Sequence, residues 1–579
     1  MKDLNIDIET FSSEQISKSG LYKYAQSDDF EILLFAYSVD FGEVKIIDLA
    51  KGEKIPEDII AALNDKNVKK HAYNAPFEWY CLNSAGYETN IEQWEDTMFY
   101  GLYLGYTVGL EATGKAIGLP QDKQKLNTGK TLIRYFCIPC KPTKSNNYRT
   151  RNLPQHDMDR WNLFKEYCLQ DVVTEMEIYK RLSFFKIPES EQKLWVFDII
   201  MNSKGILVDT ELIESALYID SEITNNLMNE AKDITNIDNP NSTPQLLNYL
   251  KDNGLDNIEN LQKTTVSELL SNDYLNDDIR RLLEIRKELA KTSIKKYVAM
   301  NLAKGNDNRV RGLLQFYGAN RTGRWAGRLV QVQNLPRNYL GTLDIARELV
   351  KHRNIKGLEV LYGNVPDTLS QLIRTAFIPA KDKFIVADFS AIEARVIAWL
   401  AGEKWVQDVF ATHGKIYEAT ASQMFGVPIE KISKGNPEYS LRQKGKIAQL
   451  ALGYQGSVGA MKAMGALNMG LTEEELPDIV YRWRNANKNI VSLWYGIEEN
   501  ALAVMCDGQS RYYKGLEFAR ESEVIYGQDF FTVKLPSGRK LYYPKPFLKK
   551  ISLENYHFTI IQLIKQQKNG VRIQPMAEN

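Results

Sequence analysis

Cysteine is scarce in this sequence, with five in 579 residues. So few exclude a disulfide framework and fit a reducing compartment. One pair, Cys137-Ile-Pro-Cys140, has CxxC spacing. No second pair and no flanking histidine accompany it, so it reads as a loop with two incidental thiols. Long apolar runs are also missing. None approaches the roughly 20 residues of a membrane helix, and Met1-Lys-Asp-Leu-Asn5 lacks the apolar region of a signal peptide. These absences predict a cytoplasmic protein with no membrane partner. Nor is there an excess of either charge, since 73 Lys plus Arg balance 73 Asp plus Glu. Neutrality does not exclude nucleic acid, because a basic groove can coexist with acidic catalytic groups. What the chain does have is length, too much for one core, so about three to five compact units are expected.

The N-terminal third carries acids in ordered segments. Leu4-Asn-Ile-Asp7-Ile-Glu9-Thr10 alternates, so Asp7 and Glu9 leave one face of a strand while Ile6 and Ile8 leave the other. Two carboxylates on one face repel unless a cation bridges them. In His71-Ala-Tyr-Asn-Ala-Pro-Phe-Glu-Trp79, Asn74 and Glu78 stand four apart on one side of a helix that Pro76 helps start. Tyr167 and Asp171 share a face within a helical pattern from Trp161 to Leu182. Each segment alone reads as ordinary structure. In this order, they resemble the DEDD-type 3′→5′ exonucleases. That resemblance implies a ribonuclease H-like fold, with Asp7, Glu9, Glu78 and Asp171 holding two Mg2+ ions and Tyr167 orienting the attacking water. Glu78 departs from the usual Asp by one methylene, and Asp96 is a lower-ranked alternative acid. The loop Lys141–Arg151 is basic and exposed, suited to water or to a phosphate backbone.

Helical patterns follow. A turn with a short strand is expected at Gly205–Asp209, a helix start with Pro244 in its first turn, and two charged helices near 276–303. The second of these carries Arg286, Lys287, Lys291, Lys295 and Lys296. Such charges form a solvated face, or grip a duplex across its phosphates. Arg321, Arg324 and Arg328 then crowd one short span, ahead of Gln333-Asn334-Leu-Pro336. Loops of this composition suit contacts to phosphates and groove edges.

Phe384-Ile-Val-Ala387 runs into Asp388, which predicts a buried strand ending in a carboxylate. A helix should follow, with Ile392, Val396, Trp399 and Leu400 on one face. Farther on, Arg442, Lys446, Leu450 and Tyr454 are four apart. A four-residue step drifts by about 40° per turn, so they form one slowly winding stripe. Two cations one turn apart welcome an anion between them, and a triphosphate suits both. Asp388-Phe-Ser-Ala-Ile-Glu393-Ala-Arg395 resembles motif A of the family A DNA polymerases, and Arg442-x-x-x-Lys446 with Tyr454-x-Gly456 resembles their motif B. Thr322-Gly-Arg324 and Gln333-Asn334-Leu-Pro336 resemble the template–primer segment. The resemblance implies a right-hand polymerase behind the exonuclease, α/β and α+β overall, of the kind found in phages. It further implies primer–template DNA and deoxynucleoside triphosphates as partners, in the cytoplasm of a bacterial host.

The parts would be an exonuclease at 1–186, connector and thumb helices at 187–305, and palm at 306–402. Fingers would follow at 403–515 and a returning palm from 516. Asp388 would bind the catalytic metals, and Glu393 would guard the sugar 2′ position. Arg395, Arg442 and Lys446 would face the nucleotide, with Tyr454 beside the templating pair. Arg324, Gln333 and Asn334 would touch the primer–template. Leu450 stands where an aromatic residue is common. The family's second palm carboxylate lies in a His-Asp-Glu turn. Of five histidines only His156 precedes an Asp, and Met158 follows. The Gln- and Lys-rich stretch after Pro544 is therefore expected to be an out-of-frame reading over its last twenty or so residues. A second polypeptide, or a frame-shifted continuation, would then complete the palm and its polymerase activity.

Overall fold

The computed structural model describes all residues except 126–127, 273, 291–292, 320–321, 554–555 and 563–579. Lys291, Arg321 and nearly all of the expected out-of-frame tail lie outside the described residues. The chain divides into one unit of residues 1–102 and 107–384, and a second of 103–106 and 385–579.

The first unit begins with a five-stranded sheet in the order β3-β2-β1-β4-β5. Its strands are β1 (Asp3–Phe11), β2 (Glu31–Val39), β3 (Val44–Asp48), β4 (Lys69–Ala72) and β5 (Trp94–Asp96). β1 is central, antiparallel to β2 and parallel to β4. Both of its faces are covered, so Ile6 and Ile8 are buried, and so is Glu9. The helix Met158–Leu182 crosses β1, β2 and β3. It buries Trp161, Phe164, Val172 and Met176 against Phe11, Leu34 and Ala36. Trp161 Nε1 donates to Asp48 Oδ2 at 2.8 Å, which satisfies the one polar atom of a fully buried ring.

Beyond it lies a helical body. The helices Thr210–Thr235, Lys295–Ala303, Leu343–Lys351, Ile355–Tyr362 and Val365–Leu372 share one core around Leu212, Ile219, Tyr297 and Leu369. The expected short strand is Ile206–Leu207, and Pro244 sits in the first turn of Thr243–Asp252. The charged pair is Asp277–Leu289 and Lys295–Ala303. Much of its charge is spent inside the unit. Arg286 reaches Asn241 and Thr243, both at 3.2 Å, and Lys296 Nζ donates to the Val330 carbonyl at 2.5 Å. The arginine-rich span is no free loop. Leu314–Ala319 and Arg324–Gly327 pair as a hairpin, and Arg328 donates to Gln315 across it.

Asp198 anchors that hairpin. Its carboxylate accepts from Trp325 Nε1 at 2.8 Å and from the Phe316 amide at 3.3 Å. Burial nevertheless pushes it up to about 6. A carboxyl raised in the folded state stabilises most when protonated, so its contribution is lost as pH rises from about 4 through 6. Denaturant titrations should show a loss of about 3 kcal/mol at most between pH 4 and 7 from this group. In Asp198→Asn that part of the pH dependence should vanish. An unchanged pH profile would show that Asp198 is not its source.

In the second unit the helices Ile416–Phe425, Leu441–Leu452, Glu475–Ala486 and Lys488–Asp507 enclose a core around Leu452, Trp483 and Trp494. The two indoles stack with centroids 6.0 Å apart. A four-stranded antiparallel sheet follows, Arg511–Tyr513, Leu516–Glu523, Gln528–Lys534 and Lys540–Pro544. The sequence after Pro544 does not become irregular at once, because Phe547–Leu553 and Tyr556–Gln562 pair as a hairpin.

One expectation fails outright. Phe384–Ala387 is not a strand, and Asp388 is not buried. Ile385, Val386 and Phe389 are 92%, 86% and 79% exposed, so the segment has the composition of a core strand without its burial. A strand exists only through its ladder, and no strand among the described residues pairs with this one. The following helix is present as Ile392–Ala401, but it buries Ala398 and Ala401 while Ile392, Val396 and Trp399 stay exposed.

Candidate functional site

The acids of the first unit converge at the carboxyl ends of β1, β4 and β5, the edge where open sheets place their ligands. Asp7 and Glu9 come from β1, past the point where β4 stops pairing with it. From β4 the chain turns through Asn74, whose φ of 76° is a conformation that Asn tolerates. Asn74 thus precedes the helix rather than sharing a face with Glu78, as its spacing had predicted. Pro76 opens that helix, and Glu78 lies in its first turn. Asp96, at the end of β5, holds this turn in place. Its Oδ1 accepts from the Asn74 and Met98 amides, both at 2.9 Å.

Asp171 and Tyr167 arrive on the helix Met158–Leu182. One turn before Asp171 on this helix, Tyr167 is buried beside it. Its ring passes so close to Gly129 that a Cβ there would lie 2.1 Å from a ring carbon. Gly129 is therefore required by the ring, not by its backbone angles.

The electrostatics are those of a site built for cations. Glu9, Glu78 and Asp171 are almost fully buried, and Asp7 partly so. Burial is the largest influence raising all four carboxyls. The next is mutual repulsion, from Asp171 on Asp7 and from Asp7 on Glu9 and Glu78. Burial, reinforced by Asp171, likewise raises Tyr167. Two buried oxygens, Glu78 Oε2 and Asp171 Oδ1, have no hydrogen-bond partner among the described residues. Orphaned carboxylate oxygens among like charges are costly, and divalent ions would satisfy them. The residues present therefore fit a metal pair, and Asp7, Glu9, Glu78 and Asp171 are the set that would hold it.

Several neighbours were not visible in the sequence. Cys168 Sγ lies 3.4 Å from Asp7 Oδ2, and the ligand atoms of Asp7, Glu9 and Cys168 fall within 4.8 Å of one another. Cys137 is not incidental either, since its Sγ is 3.9 Å from Glu9 Oε2. Glu175 is buried one turn beyond Asp171 and accepts from Asn5 at 2.8 Å. Lys125 pairs with Asp171. The position of Cys168 three residues before Asp171 was the one available clue.

The second unit carries the other constellation. On Leu441–Leu452 the faces separate as predicted, with Ile447, Ala448 and Ala451 buried and Leu450 exposed. Tyr454, just past the helix end, is exposed as well. Arg442, however, already has its anion. Its Nε donates to Glu418 Oε1 at 2.7 Å, and its guanidinium lies 5.4 Å from the Tyr417 ring centre. Lys446 is half-buried and has no ion pair among the described residues. Gly445, between them, lets the two helices touch, since a Cβ there would stand 2.2 Å from the Tyr417 carbonyl oxygen.

Arg395 is also engaged. Its Nε donates to the Ser390 carbonyl at 2.8 Å, and its guanidinium lies 4.2 Å from the Phe410 ring centre. Asp388 and Glu393 are exposed. Arg324, Gln333 and Asn334 sit exposed in the first unit, and the Gln333 side chain lies against the backbone of Gly327.

Residues 214–501 match DNA polymerase family A. A DNA polymerase of Bacillus phage SP02 is 52% identical over 556 residues, which is 95% of this chain and 83% of the phage protein. The chain belongs to DNA polymerase family A. The thermostable DNA polymerase I of Thermus aquaticus is 44% identical to this polymerase over 72 residues, 12% of the chain and 9% of the relative. Among solved structures, the polymerase domain of Pol1 from M. smegmatis, in complex with DNA primer-template and dNTP, matches with a TM-score of 0.52. It is 17% identical and covers 93% of this polymerase and 78% of that chain, a likeness of fold. Family A polymerases generally use divalent metal ions. No helix among the described residues of this polymerase is long and apolar enough to cross a membrane.

Proposed function

We propose that this family A polymerase works in phage DNA replication and edits its own product with a 3′→5′ exonuclease in residues 1–186. The observation that carries the editing reading is the set of four converging carboxylates with two orphaned buried oxygens, on Glu78 and Asp171. Two Mg2+ ions held by Asp7, Glu9, Glu78 and Asp171 would supply a nucleophilic water and balance charge on the leaving oxygen. The chain's own part is to place that chemistry. Tyr167, held one turn before Asp171 and by the wall at Gly129, orients the attacking water. Glu78 takes the family's usual Asp position, and the turn held by Asp96 brings its longer side chain in.

At the polymerase centre, Lys446 is the point charge for the incoming triphosphate, and Arg442 is held by Glu418 beside it. Tyr454 offers its exposed ring to the templating pair. Asp388 contributes one metal carboxylate and Glu393 the gate at the sugar. Arg324, Gln333 and Asn334 contact the primer–template. No His-Asp-Glu triplet occurs in the sequence, and motif A has no strand paired to it among the described residues. A second polypeptide, or a frame-shifted continuation, as the source of the partner carboxylate belongs to this reading. Incubation with a labelled primer–template and Mg2+, with and without deoxynucleotides, tests it. Shortening without nucleotides is expected, and its absence refutes the exonuclease. Efficient extension by this chain alone would make a further polypeptide unnecessary.

Gly129 offers a check that touches no carboxylate. Gly129→Ala should push the Tyr167 ring aside. A misplacement of about 1 Å in such a site can cost on the order of 10²-fold in rate. Primer shortening should fall by that order while Mn2+ binding persists. Full activity in the variant would rule out Tyr167 as the orienting group.

A further inference from the structure

Glu175 is a buried carboxylate that the chemistry so far leaves unused. It is 2% exposed and stands four residues beyond Asp171, on the same face of the helix Met158–Leu182. Unlike Glu78 and Asp171, it has both oxygens engaged. Oε2 accepts from Asn5 Nδ2 at 2.8 Å, and Oε1 accepts from the Thr97 hydroxyl. Asn5 and Thr97 are themselves fully buried. Asn5 lies two residues before Asp7 on β1, so both leave one face of the strand. Two strand residues advance by about 6.6 Å and four helix residues by about 6.0 Å. The Asn5–Glu175 contact and the facing pair Asp7 and Asp171, whose repulsion raises Asp7, are therefore successive rungs of one register. Thr97 follows Asp96, whose carboxylate holds the turn that delivers Glu78.

We propose that Glu175 is a positioning residue that fixes the spacing of all four metal-binding carboxylates. Its own helix brings Asp171, Asn5 ties it to the strand of Asp7 and Glu9, and Thr97 ties it to the segment that holds Glu78 in place. The inference rests on the exonuclease reading and deepens it, because it names the part that sets the geometry of that site. Hydrogen bonds, not charge, do the holding. Burial pushes the Glu175 carboxyl up, against the opposing pull of His71, and an ionised Glu175 only adds to the repulsion on Asp7. Metal–ligand distances tolerate only about 0.2 Å. A small slip of the helix against β1 therefore loosens the ions while the apolar core around Trp161 and Phe164 persists.

Mn2+ binding to the full chain, read from the paramagnetic resonance signal of free Mn2+, tests this without any turnover. Binding that remains in Asp7→Ala is subtracted as foreign to this site. Glu175→Ala should weaken Mn2+ binding by about tenfold, within the range typical of groups that orient metal ligands. The maximal rate of primer shortening should fall by a similar factor, with the KM for primer unchanged. Glu175→Gln should recover most of both, because its amide still accepts from Asn5 and donates to the Thr97 hydroxyl. Asn5→Ala should share the loss. The double variant of Asn5→Ala and Glu175→Ala should be no worse than the worse single one, since both act through one contact. Circular dichroism identifies the folded variants, and should Glu175→Ala fail to fold, Asn5→Ala against Glu175→Gln makes the same comparison. Wild-type Mn2+ affinity in folded Glu175→Ala overturns the proposal. So does a Gln variant as weak as the Ala variant, or additive losses in the pair. No difference in Mn2+ binding between the wild type and Asp7→Ala overturns the exonuclease reading itself, so the two failures are distinguishable.

Discussion

Asp7→Ala is expected to abolish primer shortening, by about 10³-fold or more, while leaving primer–template binding intact. The size follows from what the carboxylate does. Metal-assisted hydrolysis draws several kcal/mol from charge stabilisation, and each 1.36 kcal/mol is tenfold in rate. Unfolding is the obvious rival explanation, and the electrostatics separate the two. Asp7 is held among like charges, and Asp171 is the largest repulsion it meets. Removing it relieves Asp171, Glu9 and Glu78 together. In chelator, Asp7→Ala should therefore melt no lower than the wild type. With Mg2+ present the order should reverse, because only the wild type gains a bound ion. A variant that still shortens primer would refute the assignment.

The second large effect is expected at Lys446. Lys446→Ala should weaken binding of a deoxynucleoside triphosphate by about 10- to 100-fold, the worth of one charge-assisted contact. Arg442→Ala should cost clearly less at the nucleotide, because Glu418 already neutralises that guanidinium at 2.7 Å. It should cost more in stability, since it leaves a half-buried Glu418 without its ion-pair partner and removes the guanidinium from the Tyr417 ring. Titration with a fluorescent nucleotide in the presence of primer–template measures the first, and thermal melting the second. If Arg442→Ala proves the more damaging to nucleotide binding, the ion pair with Glu418 must open in the complex.

The two sites differ in how far they could be read from the chain. Where spacing within one element sets the outcome, the reading held. β1 presents Asp7 and Glu9 together, the helix Met158–Leu182 buries Tyr167 and Asp171 one turn apart, and Leu441–Leu452 separates its faces. Where a distant element decides, it did not. Arg442 looks available until the helix bearing Glu418, 24 residues earlier, is laid beside it. Lys125 joins the acids only through packing, because no local pattern marks it, and Cys168 carried only its place three residues before Asp171 as a clue. The apolar run at Phe384–Ala387 shows the same limit in reverse. Composition can ask for a strand, but only a neighbouring strand can make one.

Gly445 has a mechanical consequence. With no side chain between them, the helices Ile416–Phe425 and Leu441–Leu452 meet backbone to backbone, and Arg442 and Glu418 clamp the same seam. Packed surfaces of this kind have little compliance. Any displacement that carries Lys446 toward a nucleotide must carry Glu418 and Tyr417 with it as one rigid body. The hinge for such a movement must then lie outside both helices.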